Sequence, residues 1–220
     1  MKHLLIAGFG PGIGAAVARR FASEGFTLSL LARGRDALDE AAAGFAAQGV
    51  AARGFVADLS DTASTRDALA EAVATSGSPD VLIYNAARWR EARTMSLPPE
   101  DFAQDLSLAV TGALVCAQAL HPAMRARRSG TMLFTGGGLA LHPGSGAGVA
   151  SLTAGKAALR GLVHALAGEL APEGVHVATV TIAGQVAPGT AFDPDIIAGH
   201  YWDLHVQPPS AWEVERVFRG

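Results

Sequence analysis

Short apolar runs alternate with longer stretches of helical periodicity along the chain. Lys2–Ala7, Thr27–Ala32, Ala51–Val56, Val81–Asn85, Thr131–Thr135 and His176–Ile182 predict strands. Most are nearly continuous apolar runs, as parallel strands covered on both faces require. Between them Ile13–Ser23, Asp36–Gln48, Thr62–Thr75, Pro99–Arg127 and Ser151–Ala171 predict helices, and a helix over Pro194–Val206 and a strand over Trp212–Phe218 complete the pattern. Pro98 and Pro99 suit a helix start, and Asp36 and Ser60 are the expected caps of the second and third helices. This alternation predicts an α/β fold, a doubly wound parallel sheet of about seven strands in the order 3-2-1-4-5-6-7, with helices on both faces.

Composition narrows the field. The 220 residues fit one domain, 1–220, and 50% of them are hydrophobic, enough for a buried sheet-and-helix core. A net charge of -3 gives no field for gripping nucleic acid. The basic cluster Arg125, Arg127 and Arg128 falls where a helix should end, and there cations complement the dipole. Cys116 is the single cysteine, so no intrachain disulfide forms; with no signal-peptide pattern, a reducing cytoplasm is expected. The longest apolar runs are broken by polar residues or glycine, so no membrane partner is expected, and no metal site is read.

The first candidate chemistry lies at the first strand–helix turn. Gly8, Gly10, Gly12, Ile13 and Gly14 follow the first strand and open the first helix. Glycines there permit a tight turn and close approach of phosphate, while the helix N-terminus offers N–H groups to an anion. The spacing is G-x-x-x-G-x-G, and the plainer reading is a tight turn alone. At the end of the second strand Ala32 stands where an acidic residue would hold a ribose 2′-hydroxyl, and Arg33 follows. A guanidinium can pair with a 2′-phosphate, so NADP(H) is favoured over NAD(H) unless Arg33 is only a solvated loop charge.

Further signals appear in order. Asp58 and Leu59 follow the third strand, Asn85, Ala86 and Ala87 close the fourth, Lys156 opens the long helix after the fifth, and Ala183 and Gly184 follow the sixth. With the glycine turn, these make the chain resemble the short-chain dehydrogenase/reductase family over essentially its whole length. The resemblance implies a Rossmann-type fold, an adenine contact at Asp58 and Leu59, a cofactor-holding Lys156, a small carbonyl or alcohol substrate, and a homodimer or homotetramer.

The departures bear on function. Leu152 stands four positions before Lys156, where the family carries its acid/base tyrosine. Gly137 stands where its serine polarises the substrate carbonyl, and Ala109 where its helix asparagine supports the proton relay. The substrate-covering segment that the family inserts here is reduced to the eight residues Gln185–Phe192, too few for a helical lid. A replacement donor is sought in His142, since imidazole exchanges protons near neutral pH. Ser151 or Thr135 could polarise a carbonyl. The plainer readings are a loop histidine and a helix-capping serine. Tyr201, Trp202 and His205 either border the cleft or pack in the core. Two functions remain open: an NADP(H)-dependent oxidoreductase with a rearranged relay, or a dinucleotide-binding scaffold or sensor without turnover.

Overall fold

The computed structural model describes residues 2–220. Seven strands form one sheet: β1 (His3–Ala7), β2 (Thr27–Ala32), β3 (Ala52–Val56), β4 (Val81–Tyr84), β5 (Gly130–Gly137), β6 (Val175–Ile182) and β7 (Glu215–Phe218). Every pairing is parallel, and the spatial order is β3-β2-β1-β4-β5-β6-β7, as the strand–helix alternation predicts.

Alternate side chains of the strands divide between two cores. Leu4, Ile6, Leu30, Ile83 and Val180 face α1 (Ile13–Ala22), α2 (Arg35–Ala46) and α7 (Pro194–His205), which contribute Val17, Phe21, Leu38 and Leu204. Leu5, Leu31, Leu82, Tyr84 and Phe134 face α3 (Thr62–Ser76), α5 (Gly112–Ala126) and α6 (Ala150–Leu170), which contribute Leu69, Leu120, Leu159 and Val163. The period of two is what a sheet buried on both faces demands. Tyr201, Trp202 and His205 belong to the first core. The Tyr201 ring is fully buried, Trp202 meets Phe21 edge-on at 5.3 Å, and His205 Nδ1 lies 3.0 Å from the Thr131 hydroxyl.

The predicted fourth helix runs without a break from Pro99 to Ala126 but is not α-helical throughout. It divides into α4 (Pro99–Leu106), a wide π-turn over Ser107–Thr111, and α5. The widening has a cause: Gly112 is pressed against the Leu59 carbonyl and the Tyr84 hydroxyl, which itself donates to the Leu108 carbonyl. A hydroxyl inserted into the helical ladder is one of the few ways to displace it. Within Pro99–Ala126 an 18-residue window reaches a mean hydropathy of 1.4, so the helix is long and apolar enough to cross a membrane by length and composition, although Gly112 and Gln118 interrupt its apolar run as expected. In this fold its apolar residues Ala113, Val115, Cys116, Leu120 and Met124 are buried in protein.

Smaller corrections concern caps and ends. Asp61, not Ser60, caps α3 by accepting from the Ala63 and Ser64 N–H groups, while Ser60 donates to Asp58. Gly34 precedes α2, leaving Asp36 in its first turn. β5 runs on through Gly136 and Gly137, which pair with Thr181 and Ile182. A Cβ at Gly136 would stand 2.6 Å from the Thr181 hydroxyl, so a residue of poor strand propensity is imposed by its neighbour. β7 begins at Glu215, so Trp212 lies ahead of it, with its ring stacked on His176 at 4.9 Å.

Candidate functional site

The carboxyl ends of β1, β4, β5 and β6 open into a cavity of about 850 Å³, within the ordinary size range of ligand pockets. In open α/β sheets this end of the strands is where ligands bind. Ile13, Asn85, Ala87, Thr135, Gly137, His142, Leu152, Lys156 and Gly184 line it, whereas Gly8, Gly10, Gly12, Gly14, Arg33, Asp58, Leu59, Ala86 and Ser151 do not.

The glycine turn is shaped by close approach. Gly8 has φ +89°, and a Cβ there would stand 2.6 Å from the Ala86 backbone nitrogen. A Cβ at Gly14 would lie 3.3 Å from Phe9 Cα, whereas nothing stands within 4 Å of Gly10 or Gly12. The turn is therefore packed on its sheet side and open on the other. Its exit is the N-terminus of α1, where first-turn N–H groups lack intrahelical partners. Ala15 and Ala16 find the Gly10 and Gly12 carbonyls, leaving Ile13 and Gly14 at the open end. An open cradle beside these N–H groups fits a pyrophosphate.

Asn85 braces that turn. Its Nδ2 donates to the Gly8 carbonyl at 3.1 Å, and its Oδ1 accepts from the Thr135 hydroxyl at 2.8 Å. Thr135 Oγ1 in turn lies 2.6 Å from the Tyr201 hydroxyl. A buried hydrogen-bonded chain thus runs from α7 through the ends of β5 and β4 to the glycine turn. Burial raises the Tyr201 pKa above the usual phenol range, although its hydrogen bond to Thr135 opposes this, so it is a fixed neutral member of the chain.

Lys156 projects from α6 and is 9% exposed. Its ammonium donates to the Thr135 carbonyl oxygen at 2.6 Å. Desolvation by burial lowers its pKa to about 8. A Cβ at Gly137 would lie 3.4 Å from the Lys156 Cε, so the bare glycine leaves the lysine stem uncovered on that side. Leu152, one helical turn earlier, presents a half-buried apolar wall instead of a hydroxyl. Ala109 sits in the π-turn, where a Cβ on Gly155 would stand 2.8 Å from its own Cβ.

The remaining candidates divide. His142 is exposed on the cavity wall with no side-chain hydrogen bond among the described residues. Ser151 is buried, donates to Asp105 Oδ2 at 2.8 Å, and does not line the cavity. The Thr135 hydroxyl is committed between Asn85 and Tyr201. Asp58 is half-buried, and hydrogen bonds from Ser60 hold its carboxyl below the usual range, with Arg33 and Arg88 adding to the effect. Leu59 is buried in the core. Arg33 is exposed at the end of β2 without an ion pair among the described residues, whereas Arg35 reaches the Gly54 carbonyl at 3.3 Å.

Gly184 has a packing role as well. The Phe192 ring lies where its Cβ would be, and Phe192 meets Phe218 edge-on at 5.3 Å. Between them the chain makes turns, with no helix: Ala187 N–H donates to the Phe192 carbonyl, and Gly189 N–H to Asp193 Oδ2.

The fold and the order of these residues agree with a match to the short chain dehydrogenase family over residues 2–191. The chain belongs to that family. It is 32% identical over 190 residues to a 3-dehydrosphinganine reductase of Arabidopsis thaliana, covering 86% of this chain and 57% of the relative, so it spans little more than half of that protein. It is 31% identical over 225 residues to cis-1,2-dihydrobenzene-1,2-diol dehydrogenase of Pseudomonas putida, covering 98% of this chain and 76% of that enzyme. A metagenomic short-chain oxidoreductase solved in complex with NADP superposes with a TM-score of 0.90 at 28% identity, covering 99% of this chain and 96% of the other. The family match agrees with the open glycine turn at the N-terminus of α1.

Sequence reasoning missed part of the site. Arg88, Trp89, Leu139, Val149 and Val186 also line the cavity. The available signal was the run Arg88, Trp89, Arg90 directly after the Asn85 motif, at the carboxyl end of a central strand.

Proposed function

We propose that the protein is an NADP(H)-dependent oxidoreductase of a small carbonyl compound or its alcohol, with a proton relay rearranged around Lys156 and His142. The observation that carries this reading is the single cavity shared by Ile13, Asn85, Lys156 and His142. When bound, the nicotinamide supplies or accepts a hydride. The chain's own residues do the rest. The glycine turn and α1 hold the pyrophosphate, Arg33 pairs with the 2′-phosphate, and Lys156 holds the ribose hydroxyls. Asn85 keeps the turn in place through Gly8.

His142 is the group that moves a proton at the substrate oxygen. Of the three side chains considered for that task, the Ser151 and Thr135 hydroxyls are engaged elsewhere, and the imidazole alone is free on the wall. Substrate breadth is consistent with the relatives, one a reductase of 3-dehydrosphinganine and the other a dehydrogenase of a cis-dihydrodiol. Assembly into a homodimer or homotetramer through α5 and α6 completes the reading. A dinucleotide-binding sensor is the second reading, favoured by Leu152 on the wall in place of a hydroxyl.

NADPH titration followed by single-turnover mixing with a panel of ketones and aldehydes tests both. Binding with NADPH consumption supports the oxidoreductase, binding without it leaves the sensor, and absence of NADPH binding overturns both.

A further inference from the structure

The loop after Asn85 holds a feature that the redox role leaves unused. Arg88 and Arg90 both turn onto Asp105, a carboxylate of α4 that is 4% exposed. Arg88 Nη1 donates to it at 3.1 Å, and Arg90 donates through Nε at 2.8 Å and Nη2 at 3.2 Å. Arg90 also reaches Asp101 at 2.8 Å. On the far side of the loop, the Ala92 N–H donates to the Gly148 carbonyl at 2.9 Å.

Trp89 stands between these anchors. Its indole N–H donates to Glu91 at 2.9 Å, yet the residue is 66% exposed. It lines the main cavity and also an adjoining one of about 520 Å³, the two sharing Trp89, Ser145 and Val149. A large ring flanked in sequence by two ion-paired arginines, with its N–H engaged and its faces uncovered, is pre-organised contact area.

We propose that Trp89 is the aromatic wall of the substrate site and selects flat, uncharged ring compounds carrying the reacting group, that is, aryl ketones or aldehydes and their alcohols. This rests on the oxidoreductase reading for the reaction, but not for the binding. The other walls beside it, Leu139, Val149, Leu152 and Val186, are apolar, and the two cations of the lining are already engaged, Arg88 by Asp105 and Lys156 by the Thr135 carbonyl, so a charged substituent would lose hydration for little return. A saturated ring of similar size gains the same burial but not the offset or edge contact between π-systems.

The test compares acetophenone with cyclohexyl methyl ketone, by calorimetric binding to the NADPH-loaded protein and by NADPH consumption. Wild type is expected to bind acetophenone roughly two- to tenfold more tightly, the range one aromatic pair supplies. Trp89→Ala is expected to erase the preference and Trp89→Phe to keep most of it, with thermal unfolding of both variants close to wild type. Equal binding of the two ketones, no saturable binding of acetophenone, or a preference that survives Trp89→Ala overturns the proposal. So does a Trp89→Ala variant that changes only the sedimentation behaviour, which would make the ring a protein contact. A Trp89-dependent preference with no NADPH consumption upholds the wall and defeats the oxidoreductase. Consumption that is indifferent to Trp89 does the reverse.

Discussion

The Lys156 ammonium sits 2.6 Å from the Thr135 carbonyl oxygen, so the one cation projecting from α6 into the cavity is tethered to the end of β5. Burial lowers its pKa from 10.5 to about 8, which means the folded state releases this proton before the unfolded chain does. Between those values the unfolded state binds more protons, so stability attributable to Lys156 rises with pH across that window. Compared with Lys156→Met in urea titrations, the wild type should gain no more than about 3 kcal/mol between pH 8 and pH 10.5. A constant difference between the two proteins would show that the lysine is not desolvated.

Restoring hydroxyls beside that lysine should raise turnover. Leu152→Tyr places a phenol one turn from Lys156, and Gly137→Ser adds a Cβ that meets the lysine stem at a tolerable 3.4 Å. General acid catalysis contributes about 10²–10⁴-fold and an oxyanion donor about 10²–10³-fold. The double variant should therefore reduce an aryl ketone at least tenfold faster than wild type, measured as kcat at saturating NADPH. No gain with NADPH affinity intact would place the limitation elsewhere.

His142→Ala should abolish the wild-type reaction and leave NADPH affinity unchanged, because the imidazole lies on the cavity wall away from the glycine turn's contacts. Undiminished single-turnover rates would remove His142 from the proton path.

Arg33→Ala should weaken NADPH binding by about 1.5–3 kcal/mol while NADH binding hardly changes. Among the described residues the guanidinium makes no ion pair, and its nearest electrostatic influence, on the Asp58 carboxyl, is secondary to the hydrogen bonds from Ser60. Fluorescence titration with both cofactors checks this, and equal losses would exclude the 2′-phosphate contact.

Asp105→Ala should cost about 2–3 kcal/mol, below the usual figure for a broken buried pair because Arg88 and Arg90 are about a quarter exposed. Burial alone would raise the Asp105 pKa, but hydrogen bonds from Arg90 and Ser151, with the charges of Arg90 and Arg88, outweigh it and hold it low. A carboxyl depressed in the folded state stabilises above its unfolded pKa and loses that contribution as pH falls through the folded one. The wild-type advantage over Asp105→Asn should accordingly fade only in acid, well below neutrality.

The strand order and the cradle were legible because they rest on local rules. Continuous apolar runs marked buried parallel strands, and Gly8, Gly12 and Gly14 marked a turn whose neighbours leave room for nothing larger at Gly8. What escaped was set by contacts distant in sequence. The π-turn at Ser107–Thr111 lies against the Tyr84 hydroxyl, and the glycine at position 136 of β5 is imposed by the Thr179 and Thr181 hydroxyls. The commitment of Ser151 to Asp105, across 46 positions, turned a candidate hydroxyl into a structural one. No periodicity encodes such pairings.

The turn between Gly184 and Asp193 closes upon itself, through Ala187 to Phe192 and Gly189 to Asp193, while Phe192 is wedged between Gly184 and Phe218. Its ends are held by the Ala187–Phe192 bond and the wedged Phe192 ring, to which Gly189 and Thr190 at the tip add hydrogen bonds of their own. A segment clamped in this way is a graft point: each doubling of its length adds only about 0.6 kcal/mol of closure cost. Extra residues inserted at Pro188–Thr190 would hang beside Gln185 and Val186, over the rim of the cavity, without disturbing a strand. The fold therefore keeps open the option of acquiring a cover by simple insertion, and with it a narrower choice of substrate.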